Sequence, residues 1–357
     1  MKNWIYILMI GLMGSLVSSC QQSLDEEVQI PSDTPRAANI SMRLVLEGQP
    51  TASRNTWGKE EDDNNNEYHD GLVGDDFENE IDITDPNALQ VFVEVPNADG
   101  GYTTLKVVEQ TVIRLEQDNG RVYNLDGILD LNNTGIQAGT YDCKVKVFAN
   151  CGDDLEEFTF SPNSLIPMWG VQTTNLNLSN LAQNKIEDIY LLRAMAKVQV
   201  KLDDAIVNAF ELTSVTVDKY NTEGYVEPTG AEDATDTRNL SLQGVFNVKS
   251  SCEEDASPLP FLVEKDENGD DTEVFYVYLP EYQNVGEDVT PAEMKVVIDG
   301  IEYNLHFKDY TDDSPFNIVR NHYYQYTITG VNGGVELELN YQVENWTDVK
   351  NPTINFQ

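Results

Sequence analysis

The chain has 357 residues, with 62 acidic against 22 basic side chains and a formal charge of -40. That balance excludes a phosphate-backbone binder, which needs clustered Lys and Arg, so nucleic acid is no partner. A charge of this size favours solubility and adds self-repulsion that a well-formed core has to overcome.

Lys2 is followed by an apolar run from Ile5 to Val17 and by the small-residue stretch Val17-Ser18-Ser19-Cys20. About 13 apolar residues fall short of the roughly 20 that a spanning helix needs, so residues 1–19 read as a removable lipoprotein signal peptide. Cys20 is then the lipidated first residue of the mature chain, and two or three acyl chains hold a protein on a membrane almost permanently. The stretch Gln21 to Glu27 looks like the acidic segment that directs some lipoproteins to the outer face of the outer membrane. About 335 residues remain, enough for two domains that each bury a core.

From Cys20 to Pro35 the chain is polar, acidic and punctuated by proline, as a flexible tether would be. A first strand follows, placing Ile40, Met42, Leu44 and Leu46 on one face. A long acidic, Asn-rich loop runs from about Gly58 to Asp76 and is too polar to pack. Beyond it the pattern is period two through Leu89–Val95, Thr111–Leu115, Val122–Leu125, Tyr141–Phe148 and Leu176–Leu178. A second set begins at Ala196–Leu202 and continues through Leu212–Val217, Val274–Leu279, Met294–Ile298, Tyr303–Phe307, Tyr323–Ile328 and Val335–Val343. Helix signals are confined to Ser161–Met168 and Asp203–Phe210, each long enough for one short helix. The fold class is therefore all-β. Sheets with one apolar face must pack on another sheet, so sandwiches are expected. The linker Asn184–Leu191 divides residues 55–188 from 189–346, with 347–357 left as a tail.

No motif points to catalysis, and nothing calls for a metal or a cofactor. His69, His306 and His322 stand apart, without a nucleophile elbow, a zinc-ligand spacing or a phosphate-cradling loop. Asp266-Glu267-Asn268-Gly269-Asp270-Asp271 reads as a hairpin turn, its glycine too early for a calcium loop. Cys143 starts an extended stretch, and a straight strand puts Cys151 about 25 Å away. These two read as buried thiols, since only a turn near Asn150 brings them together.

Three stretches carry a resemblance to a known family. The first is Asn39–Leu46 with Pro50-Thr51-Ala52-Ser53-Arg54, a loop, and Glu78-Asn79-Glu80-Ile81 ahead of Leu89–Val93. The second is Ile166-Pro167-Met168-Trp169-Gly170, then Leu192-Arg193-Ala194-Met195-Ala196-Lys197-Val198. The third is Arg320-Asn321-His322-Tyr323-Tyr324 and the closing Tyr341-Gln342-Val343-Glu344-Asn345-Trp346. Together they resemble the Bacteroidetes-type type V fimbrillins, fimbrial subunits made as lipoprotein precursors. The loop after Arg54 is longer and more acidic than that pattern.

The resemblance implies two tandem transthyretin-like β-sandwich domains and no enzyme activity. It implies that an Arg-specific protease cuts after Arg54, with Arg36 as the alternative, and that residues 20–54 leave with the lipid. The removable strand is then Ile40, Met42, Leu44 and Leu46. Its groove is refilled by the tail of a neighbouring subunit, here Thr347–Gln357 with Ile354 and Phe356 as donor residues, unless that tail is the last strand of its own domain. Partners are other fimbrial subunits, the protease, the outer membrane through the lipid, and a host or bacterial surface receptor of unknown identity. The alternative is a monomeric or anchor surface lipoprotein with a glycan- or protein-binding β-sandwich, keeping its first strand and using aromatics such as Trp57 and Trp169.

Overall fold

The computed structural model describes residues 36–46, 81–115, 122–161, 164–240, 257–265, 270–310, 312–332 and 336–345. Among them the first nine strands are β1 (Ala37–Leu46), β2 (Leu89–Pro96), β3 (Tyr102–Arg114), β4 (Val122–Asp130), β5 (Thr140–Ala149), β6 (Glu157–Thr159), β7 (Met168–Asn177), β8 (Gln183–Lys185) and β9 (Ile189–Arg193). Ten more follow: β10 (Met195–Leu202), β11 (Leu212–Val217), β12 (Glu223–Tyr225), β13 (Leu259–Pro260), β14 (Leu262–Lys265), β15 (Asp271–Pro280), β16 (Glu293–Ile298), β17 (Ile301–His306), β18 (His322–Asn332) and β19 (Glu336–Asn345). Thr237–Asn239 forms a 3-10 turn capped by the Asp236 side chain. The architecture is essentially all-β.

The first half is one sheet in the order β4-β3-β2-β5-β7-β9-β1-β8. β3 pairs with β2 through Tyr102–Lys106 and with β4 through Val107–Arg114, with a bulge after Val108 where Glu109 takes a φ of 51°. The bulge turns the sheet through a corner. β1 then pairs with β4, so the sheet closes into a ring whose interior holds the first apolar cluster.

The second half packs the sheet β14-β15-β10-β18-β19 on β13-β11-β16-β17, enclosing a second cluster. β14 and β15 are antiparallel with Lys265 opposite Asp271, and residues 266–269 between them, read as a hairpin turn, lie outside the described residues. Along the chain the first cluster runs to Met195 and the second takes over at Ala196, although Val226, Ala231, Tyr276 and Tyr278 return to the first. β9, which the sequence places at the head of the second half, pairs with β7 and β1 in the first sheet. Gly170 makes that approach feasible: a Cβ there would lie 2.6 Å from the Tyr190 carbonyl oxygen and 2.8 Å from Leu191.

Among the described residues, the helices expected at Ser161–Met168 and Asp203–Phe210 do not form. In the latter, N–H groups of Ile206 and Val207 reach the Asp203 carbonyl and those of Ala209 and Phe210 reach Ile206, giving two linked turns. The Glu211 N–H is captured by Asp299 Oδ1, which ends the run. Ser164 makes one turn on Ser161 before β7 begins at Met168.

A strap, residues 222–240, returns from the second half onto the first. β12 pairs with β6, and the N–H of Val226 donates to Glu156. Val226 and Ala231 are buried in the first cluster. Farther on, the Thr173 N–H donates to Thr235, and the Thr237 hydroxyl sits against Val171. Lys146 lies 3.1 Å from Glu227 and 3.2 Å from Glu94. Burial works against its charge, but these two carboxylates hold its pKa above the ordinary value. The strap is fixed from the other side by Arg320, which donates to the carbonyls of Val226 and Tyr225 and pairs with Glu281.

Candidate functional site: the seat of the first strand

The sequence AANISMRLVL alternates from Asn39 to Leu44, and burial alternates along the whole strand. Ala38, Ile40, Met42, Leu44 and Leu46 point inward, each at most 4% exposed, while Arg43 is exposed on the other face. Across β4 the same residues meet Leu129, Gly127, Leu125 and Tyr123, which oppose Ala38, Ile40, Met42 and Leu44. Gly127 carries no side chain because a Cβ there would collide with Val107. Burying the four large side chains contributes on the order of 6–12 kcal/mol, comparable with the whole stability of a typical domain.

β1 is paired on both sides. It runs antiparallel to β4 from Ala37 opposite Asp130 to Val45 opposite Val122. On its other side it runs parallel to β8 through Asn39–Ser41 and to β9 through Leu44–Leu46. It is therefore the element that closes the ring.

The two ends of β1 are held differently. At the start, the Arg36 N–H donates to Asn132 Oδ1 and its Nη1 to the Ile136 carbonyl, both at 2.9 Å, while the Arg36 carbonyl accepts from Leu131. On the other side the Ala37 N–H donates to Asn180 Oδ1 at 3.1 Å, and the Ala37 carbonyl accepts from Leu181 at 2.6 Å. Asn184 donates to the Asn39 carbonyl and to that of Asn177, tying β1 to β7. Near the far end, Arg43 and Asp188 make an ion pair at 3.3 Å between half-exposed side chains.

Of the residues singled out from sequence, Arg36 and the face Ile40, Met42, Leu44 and Leu46 come together on this one strand. Cys20, Arg54, Ile354 and Phe356 lie outside the described residues. Trp57 does too. Trp169 is fully buried beside β9, which removes it as a ligand-stacking aromatic. Cys143 and Cys151 are free thiols, and burial pushes both pKa values up to about 12, so they stay protonated. Among the described residues no cluster of His, Cys, Asp or Glu is placed to hold a metal. Sequence reasoning missed the asparagines that hold β1, Asn180 and Asn184. Their only signal is a polar turn ahead of a short strand.

No family model and no curated protein matches this chain. Among solved structures it is similar to the tip fimbrial protein Mfa3 from Porphyromonas gingivalis, solved with a C-terminal truncation: 12% identity, TM-score 0.49, 87% of this chain and 100% of that one covered. It is also similar to a fimbrial assembly protein from Parabacteroides distasonis: 15% identity, TM-score 0.44, with 87% and 96% covered. At these scores and identities the likeness is too distant to carry an inference about function.

Proposed function

We propose that this chain is the lipoprotein precursor of a structural subunit of a cell-surface fimbrium, assembled by protease-triggered exchange of β1 for a strand of a neighbouring subunit. The observation that supports it is the seat of β1, a two-sided slot lined by alternating apolar residues. Withdrawing β1 leaves two unpaired strand edges along a trough several kcal/mol short of its burial. Only another strand with the same alternation satisfies both, since ladder bonds supply affinity and the inward side chains set register.

The remaining parts of the reading come from the sequence resemblance. Lipid on Cys20 brings the precursor to the outer membrane, the halves are two tandem transthyretin-like sandwiches, and the subunits support adhesion. Arg54 is the cut site in preference to Arg36, because Arg36 has its N–H, its carbonyl and its guanidinium engaged, and proteases need extended, released backbone. The tail carrying Ile354 and Phe356 follows β19, an edge strand of the second half, and serves as donor.

The test is to treat the purified precursor with an Arg-specific protease, sequence the new N-terminus and run the product unboiled. The expected result is a start at Asn55 and a ladder of oligomers, absent in Arg54→Ala. A product that starts at Asn55, loses β1 and stays monomeric overturns the reading.

A further inference from the structure

We infer that β1 opens from its Leu46 end, and that the contacts around Arg36, Ala37 and Asn39 form a clamp that lets go last. As regulation of strand release, this rests on the proposed removal of β1; as an order of opening within the intact fold, it does not.

Among the described residues, the side chains that bond to the β1 backbone all act at its first three positions or just before them: Asn132, Asn180 and Asn184. The Arg36 guanidinium adds a bond to Ile136 across the turn that follows β4. Turn backbone completes the clamp, since Leu181 donates to Ala37, Ala182 accepts from Asn39, and Leu131 donates to Arg36. Each such bond shifts a local opening equilibrium by roughly fivefold. From Leu44 to Leu46 the backbone has ladder pairing to Val122, Tyr123 and β9. Among the described residues, the side-chain ion pair nearest that end is the half-exposed Arg43–Asp188 pair, which solvent screens.

The turn Ser179–Ala182 also breaks a local rule. Leu181 takes a φ of 61° while 70% of its surface is exposed, so a branched apolar residue adopts a left-handed conformation with no burial in return. Such a conformation persists where the surroundings over-determine it. Here they do so through the 2.6 Å bond from the Leu181 N–H to Ala37.

Opening from Leu46 has a direct consequence for an incoming strand. The first sites it meets are Tyr123 with Leu125 on β4 and Ile189 with Leu191 on β9, while the seat of Ala38 becomes free at the end. The incoming strand therefore begins with its largest apolar residues and finishes on a small one.

Amide hydrogen exchange on the intact full-length chain, read by mass spectrometry, tests the order. The expected result is protection at Ala37–Asn39 and Leu181 about tenfold greater than at Leu44–Leu46. Asn180→Ala should flatten that gradient roughly fivefold at Ala37, and Arg43→Ala should leave it in place. Even exchange along β1, or a gradient that Asn180→Ala does not move, overturns the clamp. The wild-type gradient stands as a measurement even where the variant fails to fold. Because the uncut chain is used, this result is independent of whether β1 ever leaves. A polarised gradient in a chain that, once cut, neither releases β1 nor forms oligomers keeps the clamp and removes the exchange reading.

Discussion

The hydroxyl of Thr237 takes the place of a strand against Val171, accepting its N–H at 2.7 Å and donating to its carbonyl at 3.1 Å. β9 pairs with β7 only at Met168 and Trp169, so the next stretch of β7 is completed by the strap. Replacing Thr237 with the isosteric Val leaves both Val171 groups buried and unpaired, at a cost of about 1–3 kcal/mol. The melting temperature should fall and the Val171 amide should lose exchange protection. An unchanged Val171 amide would show that the strap does not guard that edge.

The inward face of β1 predicts an asymmetric response to substitution. Leu44→Ala should destabilise the intact chain by about 2–5 kcal/mol, because Leu44 is fully buried against Tyr123. Ser41→Ala, on the other face, should stay within about 0.5 kcal/mol. Equal losses from denaturant melts of the two would contradict the register.

Gly170→Ala should push β9 away from β7 and cost about 1–3 kcal/mol, since the new methyl meets the Tyr190 carbonyl and cannot be relieved by a side-chain rotation. Thermal melts compare it with wild type. A neutral substitution would mean that β9 has room to move.

Arg320 and Glu281, with side chains 3% and 8% exposed, lie 2.8 Å apart beneath the strap. Arg320→Met strands the Glu281 carboxylate in the interior and should cost about 3–5 kcal/mol. Removing both charges with Glu281→Met as well should recover part of that loss. A double-mutant cycle measures the coupling, and strictly additive losses would mean that the pair is not coupled.

His322 gives a pH dependence with a definite sign. Burial lowers its native pKa below the ordinary 6.5, opposed by its contact with the Arg320 carbonyl and by Glu281. The unfolded chain therefore takes up the proton first, and stability attributable to His322 falls as pH drops through 6.5 toward the depressed native value. Between about pH 7.5 and about 5.5 the wild type should lose melting temperature relative to His322→Gln. The opposite trend would place a stabilising anion beside the ring.

β1 was legible because every inward position from Ile40 to Leu46 is a large apolar residue with a polar or small one between most pairs. The same alternation made β2, β5 and β16 legible. What alternation does not encode is which strands meet: the pairing of β1 with β4 joins segments about 85 residues apart, and no local pattern specifies it. The strap escaped for a different reason. Its anchors are Thr237 and Glu227, polar residues whose partners are backbone groups or charges on another element, so hydrophobic periodicity is silent about them. Ile189 and Leu191 of β9 are as apolar as the strand that follows, so composition does not tell which sheet β9 joins.

The place of β1 in the ring also fixes an order of events as the chain is made. It emerges first, but β9 follows about 145 residues later, a delay of roughly 7–30 s at usual synthesis rates. Through that interval β1 has β4 on one side at most and no β9 on the other, so the ring of the first half stays open. Long-range closure of this kind is slow because loop entropy is lost before any contact is made. β1 thus gains its second partner long after it is made, and Asn39, Ser41 and Arg43, spaced along its outer face, keep it dispersed while it waits.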